Sequence, residues 1–478
     1  MNKTNSPYFL IIGLGKSGMS MAKFLCSKGE NVIATDIDES KLNIAKELNE
    51  LGIKTQIGFH DQKTFNNAKI MIPSPGISLN NKYIKTALNK GVEITGELDI
   101  FTKHNDLPII AITGTNGKTT VTTLIGKMLQ QSKMMPFVGG NIGTPLIEHL
   151  MAKNKSDGNN KTDIIVAEIS SFQLDLSRQF RPDVGVLLNI SQDHLDRYKN
   201  FEEYINSKWS IFKNQTSSDT AVINQSTLEF CHESDQDVDQ NFSQNLDSVS
   251  QKIKSKSICF SSKNNFKECD GQINPKEIKI KFKNDTYKIP TDNLKELQGT
   301  HNQENIAAAC IASLAAGADF NNILKGLADF QNLSHRVELV KTINGISFYN
   351  DSKATNTDAV IRAIECFKNN IILILGGREK STDFSLLINK IKKRVKTIIA
   401  LGETSSIIKD TFEKICPVKV AETMNSAVQT AFALALKNDI VLLSPACASF
   451  DMYKSYTDRG DDFTNCVKTL AADKSENR

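Results

Sequence analysis

"LPIIAITGTNGKTTVTTLIGKMLQ", residues 107–130, decides how the rest of the chain is read. An apolar run ending at Ile112 reads as a strand, and the run from Val121 reads as a helix. Between them lies a Gly-rich turn, Gly114, Thr115, Asn116, Gly117, followed by Lys118, Thr119 and Thr120. Backbone N–H groups in such a turn, with a helix N-terminus behind them, cradle phosphates. Lys118 is placed to reach a transferred phosphate, and the Thr119 hydroxyl to bind Mg²⁺. The spacing departs from the common GxxxxGK[ST] form, because Ile112 stands where the first glycine belongs. An ordinary glycine turn before a helix is the plainer reading. Strand, loop and Lys-Thr pair together argue against it.

Working outward, the N-terminal third alternates strands and helices. "YFLIIGLG" and "NVIATD" read as strands, and "GMSMAKFLCSKG" and "ESKLNIAKELNELG" as helices. This is the βαβ pattern of a doubly wound parallel sheet. Beyond residue 107 further strands end at "DIIVAEISS" and "DVGVLLNIS". A third series begins after "NLSHRVELV" with "NGISFYNDSKATN", "NNIILILGG", "VKTIIALGE" and "DIVLLSPACASF". The expected fold is α/β with boundaries near 106 and 332. That gives a Rossmann-like domain at 1–106, a central P-loop-type domain with a parallel sheet at 107–332, and a C-terminal domain at 333–478. The polar stretches 153–163 and 231–256 read as surface excursions.

Bulk properties narrow the function. At 478 residues the chain needs more than one core. A net charge of +4 without a dense Lys/Arg block argues against a nucleic-acid binder. No apolar run is long enough to span a bilayer, and "MNKTNSPYFLIIGLGKSG" carries no secretory pattern. Nine scattered cysteines with no CxxC pair fit reduced thiols in a cytoplasmic protein, and fit neither a disulfide framework nor a zinc site.

Other motifs sit at strand ends, where ligands of α/β sheets bind. Glu168 closes "DIIVAE" and is placed to hold Mg²⁺; a solvent-facing strand-end glutamate is the bland alternative. "NISQDHLD" puts Asp193, His194 and Asp196 at another strand end, with His194 a candidate metal ligand or acid/base group. "GLGKSG" supplies Gly13, Gly15 and Gly18, and Asp36 ends the next strand, matching the dinucleotide fingerprint. Alone, that fingerprint fits a dehydrogenase. In "FEEYINSKWSIF" (201–212), Phe201, Tyr204, Ile205 and Phe212 mark one helix face. Asn200 is placed to cap that helix, with Glu203 at the reciprocal position. Lys208 completes the apolar stripe. A snorkelling lysine is the plain reading. A buried amine beside a cation would instead be neutral and able to add CO₂.

As an ordered set, "GTNGKTT", "GGNIGTPL", "EISSFQLD", "NISQDHLDRY", "GTHNQENIAAA", "LSHRVE", "NDSKATN", "LGGREKSTDF" and "SPACASFDMYKSYTDRG" resemble the Mur ligases. These are ATP-dependent amide-forming enzymes of peptidoglycan synthesis, and the resemblance runs nearly end to end. "SSFQLD" and "SPACAS" are similar to the D-glutamate-adding members. The resemblance implies three domains: one for the UDP end of the substrate, one ATPase and one Rossmann-like ligase domain. It implies ATP-dependent addition of D-glutamate to UDP-N-acetylmuramoyl-L-alanine through an acyl phosphate, with two Mg²⁺ ions. Gly13, Leu14, Gly15, Lys16, Ser17, Asp36, Ser74, Pro75 and Gly76 would hold the uridine diphosphate. Asn141, Ser171 and Gln173 would line the muramoyl-alanine end. Gly114 to Thr120, Asn302, Asn305, Arg336 and Asp351 would bind ATP. Thr119, Glu168, His194 and a carbamylated Lys208 would serve the metals, with Lys118, Glu168, His194 and Lys208 the catalytic set. Lys353, Thr355, Lys380 and Ser449 would bind D-glutamate, beside Phe450 and Tyr456, where the family pattern leads one to expect Leu and Phe. A monomer is expected. The rival readings are a folylpolyglutamate-type ligase, against which the "GLGKSG" domain argues, an NAD-linked oxidoreductase and a non-catalytic nucleotide-binding regulator.

Overall fold

The computed structural model describes residues 7–153, 161–193, 197–229, 253–262, 269–291, 294, 297, 299–378 and 382–476. The polar stretches expected as excursions fall largely outside these, as do His194 and Lys380.

Three sheets form, each built around parallel strands. The first contains β1 (Phe9–Ile12), β2 (Val32–Asp36), β3 (Lys54–Ile57), β4 (Ile70–Pro73) and β5 (Glu93–Ile94). Its order is β3-β2-β1-β4-β5 and all its pairings are parallel. The second contains β6 (Ile109–Thr113), β7 (Pro136–Gly140), β8 (Ile164–Glu168), β9 (Val184–Leu187), β10 (Thr220–Asn224), β11 (Lys256–Ser261), β12 (Gly271–Ile273), β13 (Glu277–Phe282) and β14 (Asp285–Pro290). Its order is β14-β13-β12-β11-β10-β9-β6-β8-β7; β12, β13 and β14 pair antiparallel. The third contains β15 (Glu338–Ile343), β16 (Ile346–Asn350), β17 (Ile371–Leu375), β18 (Val395–Leu401), β19 (Val418–Ala421) and β20 (Ile440–Leu443). Its order is β15-β16-β20-β17-β18-β19, with β15 the one antiparallel edge. Strands β1, β6, β8, β9 and β17 are buried throughout. Covered on both faces by helices, they carry continuous apolar sequence rather than alternation.

Two compact units organise this chain. One comprises Met1–Ile190, Asn200–Thr291 and Glu304–Asp329; the other comprises Ser191–Lys199, Asp292–Gln303 and Phe330–Arg478. The first two sheets therefore share a unit. Inside it Lys16 Nζ donates to the Gly143 carbonyl at 2.5 Å and Ser20 Oγ to Glu148 Oε1 at 2.7 Å.

Helix packing on β1 depends on one glycine. A Cβ on Gly18 would sit 1.9 Å from the Gly13 carbonyl oxygen and 2.7 Å from Ser74 Oγ. The third glycine of "GLGKSG" thus lets the helix Lys16–Ser27 lie directly on the strand-end turn. Gly18→Ala should cost on the order of 1–3 kcal/mol as an overpacked contact. Thermal unfolding followed by circular dichroism checks this, and an unchanged melting temperature would contradict the contact.

Candidate active site

Four adjacent strands of the second sheet, β9, β6, β8 and β7, present their carboxyl ends together. The turn after β6 leads into the helix Lys118–Gln131. Gly117 adopts φ +88°, and a Cβ there would lie 2.3 Å from Asn305 Oδ1, so this position needs glycine for conformation and for space. Asn189, just beyond β9, holds the turn from the other side. Its Oδ1 accepts from Asn116 N at 2.8 Å, its Nδ2 donates to Asn116 O at 2.9 Å, and its carbonyl accepts from Thr115 N at 2.9 Å. Thr115 Oγ1 and the Tyr204 hydroxyl are 3.0 Å apart.

Lys118 Nζ donates to the carbonyls of Gly114 and Thr115, both at 2.8 Å. Thr119 Oγ1 donates to Glu168 Oε2 and Asn141 Nδ2 to Glu168 Oε1, each at 2.8 Å. Glu168 is only 2% exposed. Lys208 belongs to the helix Phe201–Trp209, capped by Asn200, whose side chain accepts from Glu203 N at 2.9 Å. The face expected to run on to Phe212 does so through a tighter 3₁₀ turn, Ser210–Phe212. Lys208 is 2% exposed, sits 4.5 Å from the Tyr204 ring centroid and donates to the Gly114 carbonyl at 2.9 Å. The two lysines thus meet at one oxygen, although 90 positions separate them in the sequence.

A cleft in the same unit collects Ser17, Ser74 and Pro75 with Gln173, Phe172 and Glu97. It joins residues expected at the UDP end to one expected at the muramoyl end. Gln173 completes a capping box with Ser170 at the helix Ser171–Asp175, and its Nε2 donates to Glu97 Oε2 at 3.4 Å. Burial raises the Glu97 carboxyl above its ordinary range, opposed by the Ile147 N–H it accepts from. Ser171 is buried, its carbonyl accepting from Ser207 Oγ at 3.0 Å. At "GLGKSG" the Asp36 carboxylate accepts from Leu14 N at 2.6 Å and Asp38 N at 2.9 Å. Leu14 has its side chain in the core, so only its backbone is available to a ligand.

In the second unit, the loops after β16, β20 and β17 converge, since these strands are neighbours. Asp351 is buried; its Oδ2 accepts from Ser444 Oγ at 2.8 Å and its Oδ1 from Val337 N at 3.2 Å. Desolvation pushes its carboxyl up to about 7, against the opposing pull of Ser444 and the Arg336 charge. Val337 and His335 adopt φ +47° and +63°, conformations that a β-branched residue in particular resists. Lys353 Nζ lies 3.8 Å from the Tyr456 ring centroid. Thr355 is half-buried and Ser449 is buried, with its carbonyl accepting from Tyr453 N at 2.8 Å. Phe450 is 61% exposed. Asn302 donates its backbone N–H to Gly299 O at 3.0 Å. Asp193 Oδ2 accepts from Asn356 Nδ2 at 3.0 Å. Arg459, 2% exposed, reaches Ser352 and the carbonyls of Cys447 and Ala448.

With this geometry in place, comparison with known proteins is direct. Residues 8–96 match the Mur ligase MurD-like N-terminal domain, 112–313 the Mur ligase middle domain and 335–447 the Mur ligase glutamate ligase domain. The chain is 39% identical over 472 residues to a UDP-N-acetylmuramoylalanine–D-glutamate ligase of Desulfosudis oleivorans, covering 98% of this chain and 97% of that one. It belongs to the Mur ligase family. Solved Mur ligase-type structures share the three-domain architecture. The UDP-N-acetylmuramate–alanine ligase of Thermotoga maritima superposes with TM-score 0.57 at 18% identity over 97% of this chain and 100% of that one. A pseudomurein peptide ligase type C of Methanothermus fervidus gives 0.58 at 19%, over 97% and 100%. In this Mur ligase Asn189, Tyr204, Glu97 and Arg459 each brace a residue or loop expected at the site, a placement that the sequence does not single out. Asn189 was signalled only by its place in "NISQDH", and Tyr204 read simply as part of an apolar face.

The Asp351 carboxyl gives a pH test. Its ordinary value is 3.8, and in the fold it is about 7. Between these values the folded state holds a proton that the unfolded chain has released. The group's contribution to stability is therefore complete below the lower value and is lost as pH rises through the upper one. Asp351→Asn, permanently neutral, should flatten the fall in stability between about pH 4 and pH 7. Denaturant titrations across that range check it, and an unaltered slope would mean that the native carboxyl is ionised throughout.

Proposed function

We propose that this Mur ligase joins D-glutamate to UDP-N-acetylmuramoyl-L-alanine with hydrolysis of ATP, as a cytoplasmic monomer in peptidoglycan precursor synthesis. The observation that carries the reading is the near full-length identity to relatives named for that reaction. We further propose the division 1–106, 107–332 and 333–478 into UDP-substrate, ATPase and amino-acid domains. No described helix is long and apolar enough to cross a membrane.

The substrate carboxylate attacks the γ-phosphate of ATP, forming an acyl phosphate and releasing ADP. The amine of D-glutamate then adds to the acyl carbon, and phosphate leaves from the tetrahedral intermediate as the amide forms. Phosphoryl transfer of this kind depends on positioning and charge neutralisation. The turn Gly114–Gly117 offers backbone N–H groups, and Lys118 offers the cation for the γ-phosphate. Asn305 bears on that turn, while Asn302, Arg336 and Asp351 serve the rest of ATP. Thr119 and Glu168 provide oxygen donors side by side, the hard ligands that Mg²⁺ selects, so the residues present fit that ion. Bound there, Mg²⁺ would neutralise charge developing on the phosphates. His194 is proposed for the second ion on the strength of the family motif.

Asp36 is engaged by two backbone N–H groups of its own turn regions. Asp36 suits a uridine or a nicotinamide-dinucleotide handle alike; the family resemblance supports a uridine diphosphate handle at Gly13–Ser17 and Ser74–Gly76. Asn141, Ser171 and Gln173 would face the muramoyl-alanine end. Lys353, Thr355, Lys380 and Ser449 would take the carboxylates of D-glutamate beside Phe450 and Tyr456. Phosphate release with UDP-N-acetylmuramoyl-L-alanine, ATP and Mg²⁺ should require the D-isomer of glutamate. Equal rates with L-glutamate, or release with neither, would overturn the reading.

Lys208 is proposed to be carbamylated. Its burial favours a neutral amine, which adds CO₂ to give a carbamate with loss of a proton, an oxygen ligand suited to Mg²⁺. Lys208→Ala should fold yet lose most turnover, with partial recovery in formate or acetate. Lys208→Arg should stay inactive, because guanidinium does not take up CO₂. Near wild-type turnover in Lys208→Arg would end the carbamate reading.

A further inference from the structure

We infer that Arg459 is a positioning residue for the acceptor pocket. Its buried guanidinium fixes the loop after β16 against the loop after β20, and through them places Lys353 and Ser449. The inference rests on the proposed amino-acid role of that pocket.

Arg459 lies on the helix Tyr456–Glu476 and is 2% exposed. Its Nε donates to Ser352 Oγ at 3.0 Å and its Nη2 to Ser352 O at 2.8 Å. Both Nη atoms donate to Cys447 O at 3.1 Å, and Nη1 also reaches Ala448 O at 3.3 Å. All these acceptors are neutral oxygens on two loops about 95 positions apart in sequence. Burying a cation to hold neutral carbonyls is costly; desolvation pulls the Arg459 group down to about 10, against the opposing effect of neighbours that include Asp451 and Asp351. A packing role would be filled at less cost by an apolar side chain. What the guanidinium adds is a rigid planar fork that addresses several acceptors at fixed angles.

Those acceptors neighbour the proposed acceptor-binding groups. Ser352 precedes Lys353 directly, and Ala448 precedes Ser449 directly. Ser352 Oγ also donates to the Tyr456 carbonyl at 2.8 Å, one turn before Arg459 on the same helix. That helix start therefore holds Ser352 at two points and sets Tyr456 under the Lys353 ammonium. The loops are tied further by Ala446 N donating to Ala354 O at 2.9 Å. Ala446 there adopts φ +61°, so the loop after β20 keeps a conformation that needs outside support. A loop held loosely by even an ångström loses alignment of a reacting amine.

Arg459→Lys in the full-length protein keeps the charge and removes the fork. The KM for D-glutamate should rise about tenfold or more, while the KM for ATP changes far less. Ser352→Ala removes one acceptor and leaves the guanidinium buried. It should raise the KM for D-glutamate by a smaller factor, with the melting temperature close to wild type, so the idea stays testable if Arg459→Lys folds poorly. A purely structural arginine would lower the melting temperature and shift both KM values together or neither, and that outcome overturns the inference. The wild type measured in parallel separates this from the proposed reaction. If it uses another amino acid in place of D-glutamate, that reading fails, and the KM comparison is made on the amino acid it accepts.

Discussion

Two lysine side chains meet at one carbonyl oxygen. Lys118 and Lys208 donate to Gly114 O at 2.8 and 2.9 Å, so their nitrogens lie within about 6 Å of each other. If both are charged, their repulsion is roughly 3 kcal/mol at an effective dielectric constant near 20. The Glu168 carboxylate on the neighbouring strand and the Tyr204 ring facing Lys208 offset part of this positive charge, whereas the N-terminus of the helix Lys118–Gln131 adds to it. Two routes would relieve that repulsion: a polyphosphate held at the turn, or loss of the Lys208 charge, which its proposed carbamylation entails. The glycines of the turn answer a separate constraint: a Cβ on Gly114 would lie 2.9 Å from Leu188 Cβ, and one on Gly117 2.3 Å from Asn305 Oδ1.

Much of this was legible in the sequence because close packing leaves a mark on composition. The strands buried on both faces read as unbroken apolar runs. Gly18 and Gly117 were legible because each occupies a place where a Cβ would collide. Lys208 stood out because a cation interrupted an apolar face. The antiparallel strands β12 to β14 were not anticipated: β12 has only three residues, and the alternation of Glu277–Phe282 follows a polar segment that interrupts the run of apolar strands. The 3₁₀ turn after Trp209 escaped because the spacing of apolar side chains cannot distinguish a tightened turn from a continuing helix.

The site residues missed share one physical reason. Asn189, Tyr204, Glu97 and Arg459 act through oxygens and N–H groups on loops far away in sequence, so no local spacing encodes their roles. Asn189 holds a backbone 73 positions away, and Arg459 one 107 positions away. Those roles exist only once the strands are ordered as β9-β6-β8 and β16-β20-β17. The residues proposed to bind through their own chemistry were readable as motifs; those that brace them were readable only in three dimensions.

The turn at His335 to Val337 has a consequence beyond holding Asp351. Residues in this region of backbone space each cost on the order of 1–3 kcal/mol, and a β-branched side chain sits at the expensive end. The neighbouring bonds, including Val337 N to the Asp351 carboxyl and Asn332 Nδ2 to Arg336 O, keep the backbone there against that cost. The turn behaves as a spring held in tension, with Arg336 mounted at its midpoint. A change that relaxes the backbone there would make the protein more robust and hold less firmly the Arg336 side chain proposed to serve ATP. Resistance to heat and precision of placement are set against each other within three residues.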